Sequence, residues 1–141
     1  QYDSFGSQRE GFTKPEDAER FVAETGVDIL AIAIGSAHGQ YKGEPKLDYE
    51  LLSEIHARIP GVPLVMHGGS GLSDEQFQTA IAKGISKVNI FTDLVMAATA
   101  AVKAVAATEQ GNIMGMSNAF REAFQTRCEH YLDIFGATNK A

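Results

Sequence analysis

The fold is indicated most clearly by residues 27–34, which have the sequence VDILAIAI. Apart from Asp28 every residue in this stretch is apolar, and glycines flank it at Gly26 and Gly35. A short run that is apolar on both faces and bounded by glycine is typical of a strand in a parallel sheet that is covered on both sides. Residues 62–66 are a second buried run, and residues 85–90, which include polar side chains, are the third predicted strand. We therefore predict three parallel strands.

Helical patterns alternate with these strands. Two segments have the form of a capping box, Thr13-x-x-Glu16 and Ser73-x-x-Gln76. Between them Asp48 can cap a helix through its side chain. The predicted helix starts are Thr13, Asp48, Ser73, Thr92 and Ser117, and the predicted ends include Gly26, Ile59, Gly84 and Gly136.

The alternation of helices and strands predicts an α/β fold with a parallel sheet and right-handed crossovers. Three strands cannot close a sheet, and a complete (β/α)8 barrel takes about 250 residues. The 141 residues are therefore predicted to be the C-terminal half of a (β/α)8 TIM barrel with an extra C-terminal helix. Residues 1–12 are expected to form a loop, and residues 13–141 the C-terminal part of a single barrel domain.

The last predicted helix carries one apolar stripe. Its members recur at helical spacing and are mostly aromatic. They are Phe120, Phe124, Cys128, Tyr131 and Phe135. We expect this stripe to pack against the barrel wall, a partner subunit, or both.

Composition excludes several classes of protein. The chain is 44% hydrophobic and 21% charged, with a net charge of −6, which is typical of a globular domain. An acidic balance argues against nucleic acid or a membrane as the partner. A single cysteine, Cys128, cannot form an internal disulfide, and no apolar run is long enough to cross a bilayer. We expect a cytoplasmic protein.

Two histidines follow predicted strands, His38 after the first and His67 after the second. The carboxyl ends of parallel strands meet at one mouth, so the two imidazoles are expected to face one cavity and bind a metal. The alternative is that each is an ordinary polar residue at the start of a loop. We expect His56 and His130 to be solvated surface residues.

A possible anion site lies beside these histidines. The turn GGSG at residues 68–71 can direct N–H groups at a phosphate, and Gly69 lets the backbone approach it closely. Residues 89–92 open the next helix, whose N-terminus also favours an anion. Lys42 can add a positive charge. The alternatives are a simple tight turn and a solvated loop lysine.

Three segments together resemble the class II, zinc-dependent ketose-bisphosphate aldolases, from about Thr13 to the C-terminus. They are AHGQYK at residues 37–42, HGGSG at residues 67–71 and NIFT at residues 89–92. The resemblance implies that His38 and His67 are zinc ligands and that Asn89 contacts the reacting end of the substrate. The resemblance implies that the substrate is bound by Gly39, Gly68, Ser70, Asn89 and Thr92. The full set of expected substrate-binding residues adds Lys42, Gly69, Ile90 and Phe91. A monovalent cation, Na+ or K+, is implied near the phosphate at Ala37, Gly39, Gly68 and Ser70.

The resemblance also implies the reaction, a reversible aldol cleavage of fructose or tagatose 1,6-bisphosphate to dihydroxyacetone phosphate and glyceraldehyde 3-phosphate, as in glycolysis. Phe91 stands where some fructose-type members carry aspartate, so the chain is more similar to the tagatose branch. A homodimer or homotetramer is implied. The third zinc histidine and the catalytic carboxylates of the family have no counterpart here, so these residues alone are expected to be inactive. The alternatives are a phosphate-binding barrel with unrelated chemistry and a non-catalytic phosphosugar-binding barrel or regulatory subunit.

Overall fold

A computed structural model describes residues 11–39, 43 and 45–140. The chain divides into two compact units, Gln1–Ile90 and Phe91–Ala141. No helix in the described part of the chain is long and apolar enough to cross a membrane. The elements in order are α1 (Pro15–Thr25), β1 (Leu30–Ala31), α2 (Tyr49–Arg58), β2 (Leu64–Met66), α3 (Asp74–Ala82), β3 (Ile85–Val88), α4 (Thr92–Ala106) and α5 (Ile113–Ile134).

The first unit contains a three-stranded parallel sheet in the order β1-β2-β3. This confirms the predicted α/β class with a parallel sheet. The first strand is shorter than predicted, since only Leu30 and Ala31 pair with β2 in regular register. The core of this unit consists of fully buried side chains from the sheet and the helices. They are Ile34, Leu64, Met66, Leu51, Leu52, Ile55 and Phe77.

The expectation that both faces of the sheet are covered holds for β2, whose three residues are all buried, but not for residues 31–34. Ile32 and Ile34 are buried, whereas Ala31 and Ala33, which alternate with them, are exposed. Alternate residues of a strand point to opposite faces. In this segment one face therefore packs into the core and the other stays open. In a complete (β/α)8 barrel the open face is the interior, which the other strands would fill.

The pairing of β2 with β3 contains an irregularity. Leu64 pairs with Ile85, but the next pair is Val65 with Lys87. One residue of β3, Ser86, is therefore additional, as in a β-bulge. Beyond it Lys87 lies on the same face of the sheet as Val65.

Two of the three helix starts predicted in this unit are confirmed. The Asp48 side chain accepts a hydrogen bond from the Leu51 N–H, and Ser73 and Gln76 form the reciprocal capping box. The capping box predicted at Thr13 is wrong, because α1 has Lys14 at its N-cap with no side-chain cap.

Thr13 bonds to the neighbouring sheet edge instead. Its N–H donates to the Ala33 carbonyl at 2.8 Å, and its hydroxyl accepts from the Ala33 N–H at 2.8 Å. A sheet edge offers unpaired backbone groups, and here one residue satisfies two of them. The Thr13 hydroxyl therefore binds the segment that follows β1 rather than capping α1.

The second unit is a pair of packed helices, α4 and α5. Helix α5 begins at Ile113, four residues before the predicted start at Ser117. The Asn112 side chain explains the difference, because it accepts hydrogen bonds from the N–H groups of Met114 and Gly115, both at 3.0 Å.

A polar cluster joins the two helices of this unit. Arg127 donates to the Asp93 carboxylate, and the buried Tyr131 hydroxyl donates to the same oxygen at 2.7 Å. The guanidinium also lies 4.8 Å from the centre of the Tyr131 ring. Tyr131 and Phe135 of the predicted stripe stack at 5.6 Å, whereas Phe120 remains 46% exposed within the described residues.

Candidate active site

His38, in the loop that follows β1, lies beside His67, which directly follows β2. Their ring centres are 5.6 Å apart and the ring planes meet at 72°. Both side chains are exposed. This separation brings two imidazoles within reach of one metal ion after modest side-chain rotation. Metal binding itself stays a prediction. No group of three or more potential ligands is present among the described residues.

Gly68 explains how the two loops approach each other. Its φ of +72° is accessible mainly to glycine. A Cβ placed on Gly68 would lie 2.2 Å from the carbonyl oxygen of Ala37, the residue before His38. The backbone beside His67 is thus in direct contact with the backbone beside His38, and any side chain at position 68 would separate them.

Asn89 lies against the His67 ring. Its Nδ2 atom is 2.9 Å from Nε2 and 3.2 Å from Nδ1 of that ring. The ammonium group of Lys87 contacts Asn89 at the other end of the amide, donating to Oδ1. The structure therefore brings together His38, His67 and Asn89, and it adds Lys87. Sequence reasoning missed Lys87, although its position two residues before Asn89 on a strand was a signal that the two share a face.

The glycine-rich turn after β2 is buried rather than open. A Cβ on Gly69 would lie 2.9 Å from Cε1 of Phe77 and 3.2 Å from Cγ1 of Ile90. Gly69 thus has a packing role that the sequence did not reveal. Ser70 is also buried, with 6% of its surface exposed, and Gly39 is half-buried with a φ of +89°.

The remaining predicted site residues fall outside this cluster or outside the described residues. Lys42 and residues 1–10 are not among the residues that the structure describes. Phe91 and Thr92 begin the second unit. Phe91 is 71% exposed and provides no side-chain cap for α4, which starts at Thr92. The binding roles of all these residues stay predictions.

The expectation that His56 and His130 are solvated is wrong. Both are half-buried. The His56 ring packs closely on Gly84, where a Cβ would lie 2.6 Å from its Cγ atom. His130 lies beside Tyr131, with ring centres 5.6 Å apart. Each ring is held in packing contacts that a helical pattern alone does not reveal.

The comparison with known proteins decides the family. The family model for class II fructose-bisphosphate aldolase matches residues 1–140. The chain belongs to this aldolase family. Among its relatives is the Escherichia coli (strain K12) protein named uncharacterized protein YdjI, which is 40% identical over 130 residues. The match covers 92% of this chain and 45% of YdjI.

Solved aldolase structures support the same assignment. The crystal structure of the YdjI aldolase from Escherichia coli K12 matches with a TM-score of 0.84 and 40% identity, over 92% of this chain and 48% of that one. A putative fructose-1,6-biphosphate aldolase from Coccidioides immitis matches with a TM-score of 0.78 and 33% identity, over 92% and 45%.

A more distant aldolase shares the fold. The Campylobacter jejuni fructose-bisphosphate aldolase matches with a TM-score of 0.76 and 23% identity, covering 99% of this chain and 50% of that one. The chain thus spans about half the length of the aldolases it matches. This agrees with the partial barrel expected from three parallel strands.

Proposed function

We propose that the protein is a class II aldolase that cleaves a ketose 1,6-bisphosphate, of fructose or tagatose, in a reversible zinc-dependent reaction. The products would be dihydroxyacetone phosphate and glyceraldehyde 3-phosphate. The residues described here would supply part of the metal site and part of the substrate site. Family membership supports the reaction class.

The observation that carries the proposal is the convergence of His38, His67 and Asn89. Two exposed imidazoles 5.6 Å apart, with an amide donor 2.9 Å from one of them, form a polar cluster that a pure phosphate binder does not need. Neutral imidazole is a preferred ligand of zinc. The donor set therefore fits zinc, as two of the three protein ligands that a catalytic site uses.

Each residue has a distinct task in this proposal. His38 and His67 hold the metal, and a bound zinc ion would act as a Lewis acid on the substrate carbonyl. The Asn89 amide, beside His67, donates a hydrogen bond to a substrate oxygen near the reacting carbons. The backbone at Gly39 and Gly68 binds the phosphate, together with Lys42 and a monovalent cation.

Metal dependence tests the proposal in the full-length protein. Cleavage of fructose and tagatose 1,6-bisphosphate is measured before chelation, after chelation and after zinc is restored. We expect activity to be lost and then recovered. His67→Ala should lower bound zinc and activity together, because a ligand is lost. His130→Ala, on α5, is the matched control and should retain both.

Two results would contradict the aldolase proposal. Activity that survives complete removal of metal would show that the histidines do not hold a catalytic ion. Binding of phosphorylated sugar with no turnover in the zinc-loaded protein would favour the non-catalytic phosphosugar-binding barrel. The 141 residues alone should not catalyse, since a third ligand is lacking among the described residues.

A further inference from the structure

We infer that Lys87 is a positioning residue that fixes which end of the Asn89 amide faces His67. The inference deepens the proposed function, and its kinetic test rests on that function. Neither the sequence motifs nor the family assignment gave Lys87 a role. Two observations on β3 and its neighbours, together with one chemical argument, carry the inference.

The first observation is the chemistry of the contact between the two side chains. A lysine ammonium group only donates hydrogen bonds, whereas an amide has one accepting end and one donating end. Because Lys87 donates to Oδ1 of Asn89, the NH2 group must face the opposite way. That group lies 2.9 Å from Nε2 and 3.2 Å from Nδ1 of His67.

The second point is a chemical argument: Asn89 could otherwise adopt the reverse orientation. A neutral imidazole has one donating and one accepting nitrogen. The ring of His67 could therefore accept a bond from the amide NH2 or donate one to the amide oxygen. Without Lys87, hydrogen bonding to the ring of metal-free His67 would permit either orientation of the amide. A charge-assisted bond to Oδ1 selects the orientation in which Asn89 is a donor.

The third point is the irregular pairing of β3. Ile85 and Val88 are three residues apart, yet they pair with Leu64 and Met66, which are two apart. The additional residue places Lys87 opposite Val65, on the face that also carries His67 two residues further along. With regular pairing after Ile85, position 87 would lie opposite Met66 on the core face. β-bulges often redirect a side chain next to an active site.

The test compares three lysine variants of the full-length protein. Lys87→Met has a similar length but cannot donate, and Lys87→Arg restores a charged donor. Lys83→Met is the matched control, because Lys83 is an exposed lysine at the end of α3. The first readout is the 1H–15N signal of the Asn89 side-chain amide in metal-free protein, assigned with Asn89→Ala.

We expect Lys87→Met to shift the Asn89 amide signals, Lys87→Arg to restore them, and Lys83→Met to leave them unchanged. Unchanged signals in Lys87→Met would overturn the inference. A shift that Lys87→Arg fails to restore would also overturn it, because packing rather than hydrogen-bond donation would then explain the effect.

The second readout is the kinetics of the zinc-loaded enzyme. Loss of a correctly oriented donor should lower kcat/KM of Lys87→Met about 10- to 100-fold, with bound zinc unchanged. Full activity in Lys87→Met would overturn the inference. If the wild type cleaves no ketose bisphosphate, the proposed function fails, and the amide signals alone decide the role of Lys87.

Discussion

Replacing Gly68 by alanine tests how the two histidines are brought together. The new Cβ would lie 2.2 Å from the Ala37 carbonyl oxygen and 2.4 Å from its carbonyl carbon. An ordinary C···O contact is about 3.3 Å, so the two backbones must separate by about 1 Å. Neither neighbour is a flexible side chain that could move aside. Functional groups need placement within about 0.5 Å, so the shift would disrupt the pairing of His38 and His67.

The energetic cost has two parts, which a second variant separates. A left-handed backbone costs a non-glycine residue about 1–2 kcal/mol, and overpacking adds about 1–3 kcal/mol. Gly26 has a similar φ of +65°, but a Cβ there would meet nothing within 4 Å. Gly26→Ala therefore carries only the backbone cost. We expect Gly68→Ala to be less stable than Gly26→Ala by about 1–3 kcal/mol.

Two measurements check this expectation. Urea unfolding gives the difference in the free energy of unfolding between the two variants. Nuclear Overhauser contacts between the His38 and His67 rings, 5.6 Å apart at their centres, report whether the rings stay together. Equal destabilisation by both variants, with the ring contacts intact in Gly68→Ala, would refute the reasoning.

Three further predictions concern other parts of the chain. Gly69→Val should lower the free energy of unfolding by about 1–3 kcal/mol in urea titrations, because its side chain would clash with Phe77. Burial raises the pKa of Asp93, but hydrogen bonds from Arg127 and Tyr131 outweigh burial and lower that pKa below its usual value. The contribution of the ionised Asp93 carboxylate to the stability of the second unit should therefore be complete above about pH 4, and it should be lost as the pH falls through the lowered pKa. Asp93→Asn should flatten the acid limb of a circular-dichroism titration. Light scattering should show a dimer or tetramer of the full-length protein at micromolar concentration, and a monomer would contradict the expected assembly.

Much of the first unit could be predicted because its signals are local. A capping box needs only Ser73 and Gln76 at fixed spacing, and a left-handed helix end needs only Gly26. The same is true of His38 and His67, which each follow an apolar run. Parallel pairing then places the strand ends together, so two distant sequence positions become neighbours.

The features that sequence reasoning missed depend on partners far along the chain. Thr13 matches a capping box, but its hydroxyl accepts a hydrogen bond from the Ala33 N–H, and its own N–H donates to the Ala33 carbonyl. In the second unit Asn112 extends α5 because its side chain caps an earlier turn than the apolar stripe indicated. In both cases a polar side chain had two possible uses, and tertiary structure selected one.

The additional residue in β3 is the clearest case, and it connects the fold to the site. Regular alternation places Ile85, Lys87 and Asn89 on one face, and burial of Ile85 would then take both polar side chains toward the core. The structure instead buries Ile85 beside Leu64 and exposes Lys87. Burial of Ile85 fixes the start of the strand, and the additional residue Ser86 turns Lys87 away from the core. One inserted residue thus allows a single short strand to contribute to both the core and the His67–Asn89 cluster.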